Sequence, residues 1–563
     1  YKLMDLEYEA LNVSPLIYGA DGVSTSKGVR DELGVSPDGK FTRYYAHTRY
    51  QSINLYSNYL FTLGDKHNFT VMAGYQEENN DYSYMKNSIT GLYSTSNPNV
   101  GMGTGDKTVV DTRNGWATRG FFGRVNYDYD GRYLLELNGR YDGSSRFAKG
   151  NRWGFFPSAS LGWNITREQF MMPIADVVSN LKLRASYGLL GNQAGAALYT
   201  FAATMDLNDK LGNYIFSDGR HIFTKAPAVV NPNTTWEKVE SKNIGLDFGF
   251  FGNSLTGSFD VFQRDTKDML GPTVDFPDFF GADAPKTNNA RMRNRGWELA
   301  ANYFDQKGDW AWQAGFSLSG VKNEITDMKG VEDISNNTIN REGEAIGSYY
   351  GLKAIGIYRT QADLDRVNAN GQKILQNNQE PQLGDIMYED IDNNGNINDA
   401  DRTVIGNPFP KMQYSFNLGF SYKDFDVNTF WQGIAGVYRY NWDETTISNG
   451  GNKTSRWLDR WSESNPDGSM PRLGGTINNN YSSFWLTKGD YLRLKNLEIG
   501  YTFRQREFLT KLGVQSLRLY LAGTNLLTFT SLDDYDPEKL STDSRNDVHP
   551  NTRTYSFGVN VKF

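Results

Sequence analysis

The sequence predicts an all-β protein, a transmembrane antiparallel up-and-down β-barrel. Three observations predict this fold class. Aromatic residues make up 14% of the 563 residues, several segments alternate apolar and polar residues over the length of a strand, and the connections between these segments alternate between short and long. A strand between lipid and a wet interior is apolar on one face only, so it alternates with period two over about ten residues.

Composition excludes several other classes of protein. The net charge of −7 offers no basic surface for nucleic acid, and the absence of cysteine excludes a disulfide framework and a cysteine-based metal site. No apolar run is long enough for a transmembrane helix, which is compatible with a barrel because barrel strands are only half apolar. Residues 1–5 do not resemble an export signal, so we expect the sequence to begin inside a longer protein.

The hairpin around Asp130 shows the strand pattern most clearly. Phe121 and Val125 share one face of the first predicted strand, Arg124 lies on the other, and Asp130-Gly131 predicts a two-residue hairpin turn. The next strand, over residues 133–142, continues the alternation. The same pattern recurs in residues 181–187, 297–303, 310–318, 416–422 and 517–521. The sequence therefore predicts one long meander.

The last predicted strand reaches the end of the sequence. Apolar residues at every second position, Tyr555, Phe557, Val559, Val561 and Phe563, alternate with small or polar ones. A strand that ends on a terminal Phe resembles the assembly signal of bacterial outer-membrane barrels.

Roughly fifteen segments have membrane-crossing length, and the connections between them orient the barrel. Short connections are expected at residues 63–66, 130–131, 252–253, 305–308 and 423–424, and long ones at 87–115, 192–232, 267–289, 322–409, 440–483 and 530–552. Two intermediate connections, 168–179 and 505–513, fall on the short side. Because bacterial barrels have short periplasmic turns and long external loops, Phe563 is predicted to lie on the periplasmic side.

Counting back from Phe563 divides the chain. Residues 1–40 fall in an external loop or stay unplaced, residues 41–563 form the barrel, and residues 322–410 form a long external loop. Barrels of this kind have an even number of strands, so fifteen predicts that the first strands lie upstream. Alternation alone leaves a soluble β-sandwich open as the alternative. Aromatic pairs at strand ends, Trp310 with Trp312 and Tyr127 with Tyr129, favour a barrel with interfacial girdles.

Several segments together resemble the SusC/RagA branch of TonB-dependent receptors. They are residues 181–193 (LKLRASYGLLGNQ), 231–251, 492–503 (LRLKNLEIGYTF), 517–530 (LRLYLAGTNLLTFT) and 534–538 (DYDPE). The resemblance implies a barrel of about 22 strands with a plug inside it. It also implies a SusD-like surface lipoprotein as a lid, energy from the TonB-ExbB-ExbD complex through an N-terminal region, and a dimer of transporter–lipoprotein pairs. Plug and TonB box are expected upstream of the barrel.

One segment has the spacing of a calcium-binding loop. Oxygen-bearing side chains stand at positions 1, 3 and 5 of a twelve-residue loop, with Gly395 at position 6. The predicted ligands are Asp390, Asp392, Asn394, Asn396 through its backbone carbonyl, and Asp401. Asp at the last position shortens the reach of the closing carboxylate. A turn whose side chains bond their own backbone is the alternative, and a cation here is expected to stiffen the external loop.

We assign no catalytic residue, and we predict that the protein is not an enzyme. The four histidines lie in separate segments without metal-ligand spacing, and no nucleophile-elbow motif is present. Aromatic residues of the predicted external loops are candidates for contacts to a ligand or lid, with packing inside the loops as the alternative for each. These candidates are Tyr214, Phe279, Phe280, Tyr438 and Trp442.

The resemblance leads to a functional hypothesis of active nutrient import across the outer membrane. Oligosaccharide fragments are the expected cargo, and peptides are the alternative, since the family imports both. A passive porin or a siderophore-type receptor is the first alternative function. A cell-surface adhesin built of β-sandwiches is the alternative from another class.

Overall fold

Sixteen strands form one large antiparallel sheet in the computed structural model, which describes residues 2–12, 16–18, 24–26, 40–93, 99–203, 207–208, 223–224, 227–440, 454–504, 507–511, 513–532, 536–538 and 549–563. We number these strands β1 to β16 in chain order. They are Lys2–Asn12, Lys40–Leu63, His67–Thr90, Lys107–Tyr129, Tyr133–Ser144, Trp153–Asn164, Val178–Asn192, Glu237–Phe250, Leu255–Gly271, Thr287–Lys307, Trp310–Asp327, Met412–Tyr422, Phe425–Ala435, Tyr491–Arg504, Ser516–Thr530 and Thr554–Lys562.

Each strand of this sheet pairs with the next one along the chain, which is the up-and-down topology that the sequence predicted. A single meander of sixteen strands replaces the alternative of several β-sandwiches, in which strands are divided between two packed sheets. The described sheet holds one strand more than the roughly fifteen that we counted from the sequence.

The additional strand is β1, and here the structure differs from the sequence analysis. Lys2 pairs with Tyr50 and Asn12 with Lys40, whereas we had placed residues 1–40 in an external loop or left them unplaced. The local pattern supports a strand, since apolar and acidic residues alternate over residues 4–9 (MDLEYE). The loop prediction followed from an odd number of strands counted back from Phe563, which put the start of the chain on the external side. One further strand makes the number even, so β1 begins on the side of the short connections.

The connections alternate between two sides of the sheet throughout. One side carries residues 64–66, 130–132, 165–177, 251–254, 308–309, 423–424 and 505–515, and the other side carries residues 13–39, 91–106, 145–152, 193–236, 272–286, 328–411, 436–490 and 531–553. The first set is short and the second contains the longest connections, so the rule for bacterial barrels makes the second side external. The end of β16 lies on the short side, as the sequence predicted.

Strands β2, β3 and β4 are longer than a membrane crossing requires. They contain 24, 24 and 23 residues, which corresponds to roughly 75–80 Å at about 3.3 Å per residue. A tilted barrel strand crosses a bilayer with about 9–11 residues, so these three strands extend far beyond the bilayer. The long connection that we expected at residues 87–115 is therefore shortened to residues 91–106, because both of its ends belong to strands.

Apolar side chains lie on a common outward face of the sheet. Cross-strand partners share a face, and Val125 pairs with Leu137 while Ile244 pairs with Val261. All four are exposed in the isolated chain. A continuous exposed apolar band of this kind is what a lipid-facing barrel surface requires.

Short elements fold within the connections on the external side. Residues 328–411 contain a four-stranded sheet of Asp333–Ser335, Thr338–Asn340, Ser348–Leu352 and Arg402–Gly406, the pairs Ala354–Ile357 with Ile386–Tyr388 and Leu375–Gln376 with Asn396–Ile397, and the helix Gln361–Leu364. The other short strands on this side are Leu16–Tyr18, Ser24–Ser26, Leu207–Asn208, Phe223–Thr224, Tyr438–Tyr440 and Leu486–Lys488. The helix Glu507–Lys511 lies on the opposite side, in the connection 505–515. Across the described ranges, no helix has the length and apolar character needed to cross a membrane.

Candidate functional site: the outer domain, the rim and the inner face

The two longest external connections fold together into one unit, which we call the outer domain (residues 328–411, 436–440 and 454–490). Its largest buried cluster draws side chains from both connections: Tyr349, Leu352, Ile374, Ile386, Tyr388, Ile397, Tyr440, Trp457, Met470, Ile477 and Trp485. The strand Tyr438–Tyr440 pairs with Leu486–Lys488, and the N–H of Leu352 donates to the carbonyl of Tyr481 at 2.9 Å. The predicted loop 322–410 is thus half of a folded domain.

Buried polar contacts connect the two halves of the outer domain. The fully buried carboxylate of Asp385 accepts hydrogen bonds from Arg472 Nε at 2.7 Å and from Asn478 Nδ2 at 3.2 Å. The hydroxyl of Tyr388 donates to the carbonyl of Ile477 at 3.1 Å. Burial raises the pKa of Tyr388 far above its ordinary value, so this hydroxyl stays protonated and remains a donor.

The calcium-type loop lies at the edge of the outer domain. Carboxylate oxygens of Asp390, Asp392 and Asp401, three of the five predicted ligands, come within 4.8 Å of one another. The side chain of Asn394 lies against the cluster, since its Nδ2 donates to Asp392 Oδ2 at 2.8 Å. Asn394 Oδ1 accepts the N–H of Asn396 at 2.7 Å, and Asn396 Oδ1 accepts from a neighbouring turn at 2.7 Å.

The predicted aromatic contact residues are found in different environments. Phe279 belongs to the 3-10 turn Asp278–Phe280 on the external side, and 91% of its surface is exposed. Phe280 packs against Phe276, with their ring centroids 4.6 Å apart. Tyr438 is half-buried against the core of the outer domain, which is the packing alternative. Tyr214 and Trp442 lie outside the residues that the structure describes.

The inner face of the sheet carries charged residues that the sequence analysis did not single out. Arg184 on β7 donates to Asp247 on β8 at 2.8 Å and to Asp260 on β9 at 3.0 Å, so one guanidinium connects three strands. Arg518 on β15 bonds Glu498 on β14 at 2.7 Å. The alternation of the sequence could have identified these residues, since they stand at the polar positions between the apolar residues that face outward. An inner face with such groups can exchange hydrogen bonds with a hydrated solute.

A buried cluster of ionic groups lies where β14 meets the external side, and we call it the rim cluster (Arg493, Lys495, Asp536 and Glu538). Arg493 Nη2 lies 2.9 Å from Asp536 Oδ1, with the two side chains only 5% and 4% exposed, and Arg493 Nη1 lies 3.1 Å from Glu538 Oε1. Lys495 bonds Glu538 at 3.0 Å. The acidic members come from the DYDPE segment, so this motif attaches the last external connection to the barrel wall.

The charge of Asp536 is stabilised in spite of its burial. Burial raises its pKa, but hydrogen bonds from Arg493 and from the N–H groups of Glu538 and Asn551 outweigh that effect together with the positive charge of Arg493. The net result is a pKa of Asp536 below the ordinary carboxyl value.

Comparisons with known proteins agree with this architecture. Residues 14–526 match the family model of the TonB dependent receptor-like β-barrel. The TonB-dependent receptor P3 of Formosa agariphila is 30% identical, over 94% of this chain and 54% of that protein. The TonB-dependent receptor SusC of Bacteroides thetaiotaomicron is 28% identical, over 100% of this chain and 55% of that protein. The chain thus spans about half the length of these curated relatives.

Solved structures show the same fold. The RagAB peptide transporter matches with a TM-score of 0.81 at 23% identity, covering 100% of this chain and 59% of that one. The RagAB peptide importer in the 'closed-closed' state matches with a TM-score of 0.77 at 25% identity, covering 96% of this chain and 58% of that one.

Proposed function

Since this chain belongs to the TonB-dependent receptor family of outer-membrane β-barrels, we propose that it forms the barrel wall of an active nutrient importer of the SusC/RagA type. The observation that carries the proposal is the combination of a sixteen-stranded meander with a polar, ion-paired inner face and an outer domain folded from the two longest external connections. Family membership also agrees with our prediction that the protein is not an enzyme.

The proposed cargo is an oligosaccharide fragment or a peptide that is too large for a passive porin. The inner face supports a hydrated cargo, because Arg184, Asp247 and Asp260 present both donors and acceptors. The likeness to a peptide importer supports the peptide alternative, and the oligosaccharide is the cargo that the SusC/RagA resemblance implies. Both cargoes are rich in the hydrogen-bonding groups that such a surface can satisfy.

The proposed partners are a SusD-like lipoprotein on the external side and the TonB-ExbB-ExbD complex on the periplasmic side. We further propose a plug in the part of the relatives' length that this chain does not span, and a dimer of transporter–lipoprotein pairs. The outer domain supports the first partner, since it gives the external mouth a folded surface on which a lid can rest.

Energy-dependent uptake tests this function. Cells carrying the full-length protein, and cells from which its gene is deleted, are given fluorescent oligosaccharides or fluorescent peptides with and without an uncoupler of the proton gradient. Uptake that requires both the gene and the gradient is the expected result, and the pool that enters identifies the cargo. Gene-dependent uptake that persists with the uncoupler would instead indicate a passive porin. Surface binding without entry would indicate an adhesin.

Phe279 is the aromatic residue that we propose as a contact for ligand or lid, because its ring is exposed on the external side. Phe279→Ala should weaken capture of cargo or of the lipoprotein while leaving the barrel folded. Phe280→Ala is the matched comparison, since that ring packs on Phe276 within its own turn. Equal effects of the two substitutions on capture would refute the assigned role of Phe279.

A further inference from the structure

One buried oxygen in the calcium-type loop has no donor to bond. Asp390 is only 8% exposed, and its Oδ2 accepts the N–H of Gly395 at 2.9 Å. Its Oδ1 is buried without any hydrogen-bond partner among the described residues. A buried carboxylate oxygen that lacks a partner is unfavourable, so its presence points to a group that completes it.

The same place concentrates negative charge. Oxygens of Asp390, Asp392 and Asp401 lie within 4.8 Å of one another, and Asp401 is fully buried. Within the described ranges, none of these three carboxylates forms an ion pair with a lysine or arginine. Asp390 and Asp401 are buried and Asp392 is exposed. Two like charges held together away from water repel strongly unless a cation lies between them.

The backbone of the loop fixes these oxygens in place. The carboxylate of Asp401 accepts the N–H of Ile391 at 2.8 Å through Oδ1 and the N–H of Asn398 at 2.9 Å through Oδ2. Gly395 has a φ of +80°, a conformation that glycine adopts without strain and that closes the loop around the carboxylates. Ile397, only 1% exposed, anchors the loop in the core of the outer domain.

We propose that this loop binds one Ca²⁺ ion and that the ion locks residues 390–401 onto the core of the outer domain. Carboxylates of Asp390, Asp392 and Asp401 supply the charge, and Oδ1 of Asp390 is the ligand that the protein alone leaves without a partner. Asn394 Oδ1 and the backbone carbonyl of Asn396 each keep a lone pair for the ion. Calcium fits better than magnesium, because it accepts a large and irregular set of oxygens whereas magnesium requires near-octahedral geometry and keeps its waters.

Calorimetric titration of the full-length protein in detergent, freed of metal with a chelator, tests the site directly. We expect saturable binding of one Ca²⁺ per chain and a weaker response to Mg²⁺. Asp390→Asn keeps the shape of the side chain and should weaken binding by at least about tenfold. Asp399→Asn is the matched control, because Asp399 is exposed in the same turn and lies outside the carboxylate cluster. The affinity of this variant for Ca²⁺ should stay within about twofold of the affinity of the unsubstituted protein.

A cysteine reporter keeps the test decisive if Asp390→Asn fails to fold. The chain has no cysteine, so Ile397→Cys introduces a single buried thiol whose labelling rate should fall by at least about tenfold when Ca²⁺ is added. Calorimetry without saturable binding in the original protein would overturn the proposal, as would equal affinity in a folded Asp390→Asn variant. The first result would identify the loop as a turn held by its own hydrogen bonds, and the second would place the bound ion at another site.

Discussion

The rim cluster gives the sharpest quantitative prediction. Arg493→Met keeps an apolar stem of similar length but removes the guanidinium, which leaves Asp536 charged, buried and without its cation. Removing one partner of a buried ion pair costs about 3–5 kcal/mol. Two features place the expected value near the lower end: Lys495 still neutralises Glu538, and backbone N–H groups of Glu538 and Asn551 still bond Asp536.

A loss of about 3 kcal/mol corresponds to a roughly 150-fold larger population of the state in which residues 536–538 are released from Arg493, at about 1.4 kcal/mol for each factor of ten. Leu532→Cys reports that release, because Leu532 is buried at the start of the connection 531–553 and no other cysteine is present. When closing is faster than labelling, the rate of thiol modification follows the open population. The labelling rate of Leu532→Cys should therefore rise by about two orders of magnitude in the Arg493→Met background.

An exposed ion pair provides the comparison for this experiment. Lys322 bonds Glu324 at 2.8 Å, but 75% of the lysine side chain is exposed, so Lys322→Met should change labelling at Leu532→Cys by less than about fivefold. An Arg493→Met effect no larger than that of Lys322→Met would refute the view that the rim cluster holds the connection closed.

Three further outcomes follow. Because the pKa of Asp536 is lowered in the fold, its contribution is fully present above the ordinary carboxyl pKa of about 3.9. Labelling at Leu532→Cys should be constant down to about pH 5 and rise below about pH 4, as read with a disulfide reagent that reacts in acid; a rise that begins near neutral pH would contradict this. Tyr388→Phe should destabilise the outer domain by about 1 kcal/mol, since the carbonyl of Ile477 loses one of its two donors and keeps the N–H of Asn480. An unchanged thermal midpoint in tryptophan fluorescence would disprove that loss. Gly131→Ala should lower the free energy of unfolding of the barrel by about 1 kcal/mol, because Gly131 has a φ of +65° and the new Cβ also meets Arg167. The measurement is the urea concentration at which the folded band is lost in gel migration. Gly150→Ala, whose Cβ would enter open space, is the control and should leave that concentration unchanged.

The sequence predicted the parts of the barrel that face lipid, because there one wet face and one apolar face impose a strict period of two. The alternation in residues 121–129 and 133–142 appears in the structure as paired strands with a common outward face. The same rule fails beyond the bilayer. The last residues of β3, 87–90, lie at its external end and pack against Phe41 and Leu92 instead of lipid. No lipid-facing period is required there, and the sequence analysis assigned these residues to a loop.

The outer domain could not be predicted from the sequence, for a different reason. Its core joins Tyr388 to Ile477 and Trp485, which are separated by about ninety residues of chain, and no local period reports contacts over such distances. By contrast, the proximity of Asp390, Asp392 and Asp401 could be read from the sequence, because a twelve-residue loop brings its own ends together. Binding of a cation there stays a prediction. Tyr438 illustrates the difference. Its aromatic side chain made it a candidate from the sequence, but the core against which it packs includes residues of another connection.

Orientation of the barrel in the outer membrane is the central claim, and a pair of single cysteines tests it directly. Glu380→Cys places a thiol on the exposed surface of the outer domain, and Asp65→Cys places one in the short turn between β2 and β3. Intact cells treated with a thiol reagent that cannot cross membranes should label Glu380→Cys, and should label Asp65→Cys only after the outer membrane is permeabilised. Labelling of Asp65→Cys in intact cells, with protection of Glu380→Cys, would contradict the account.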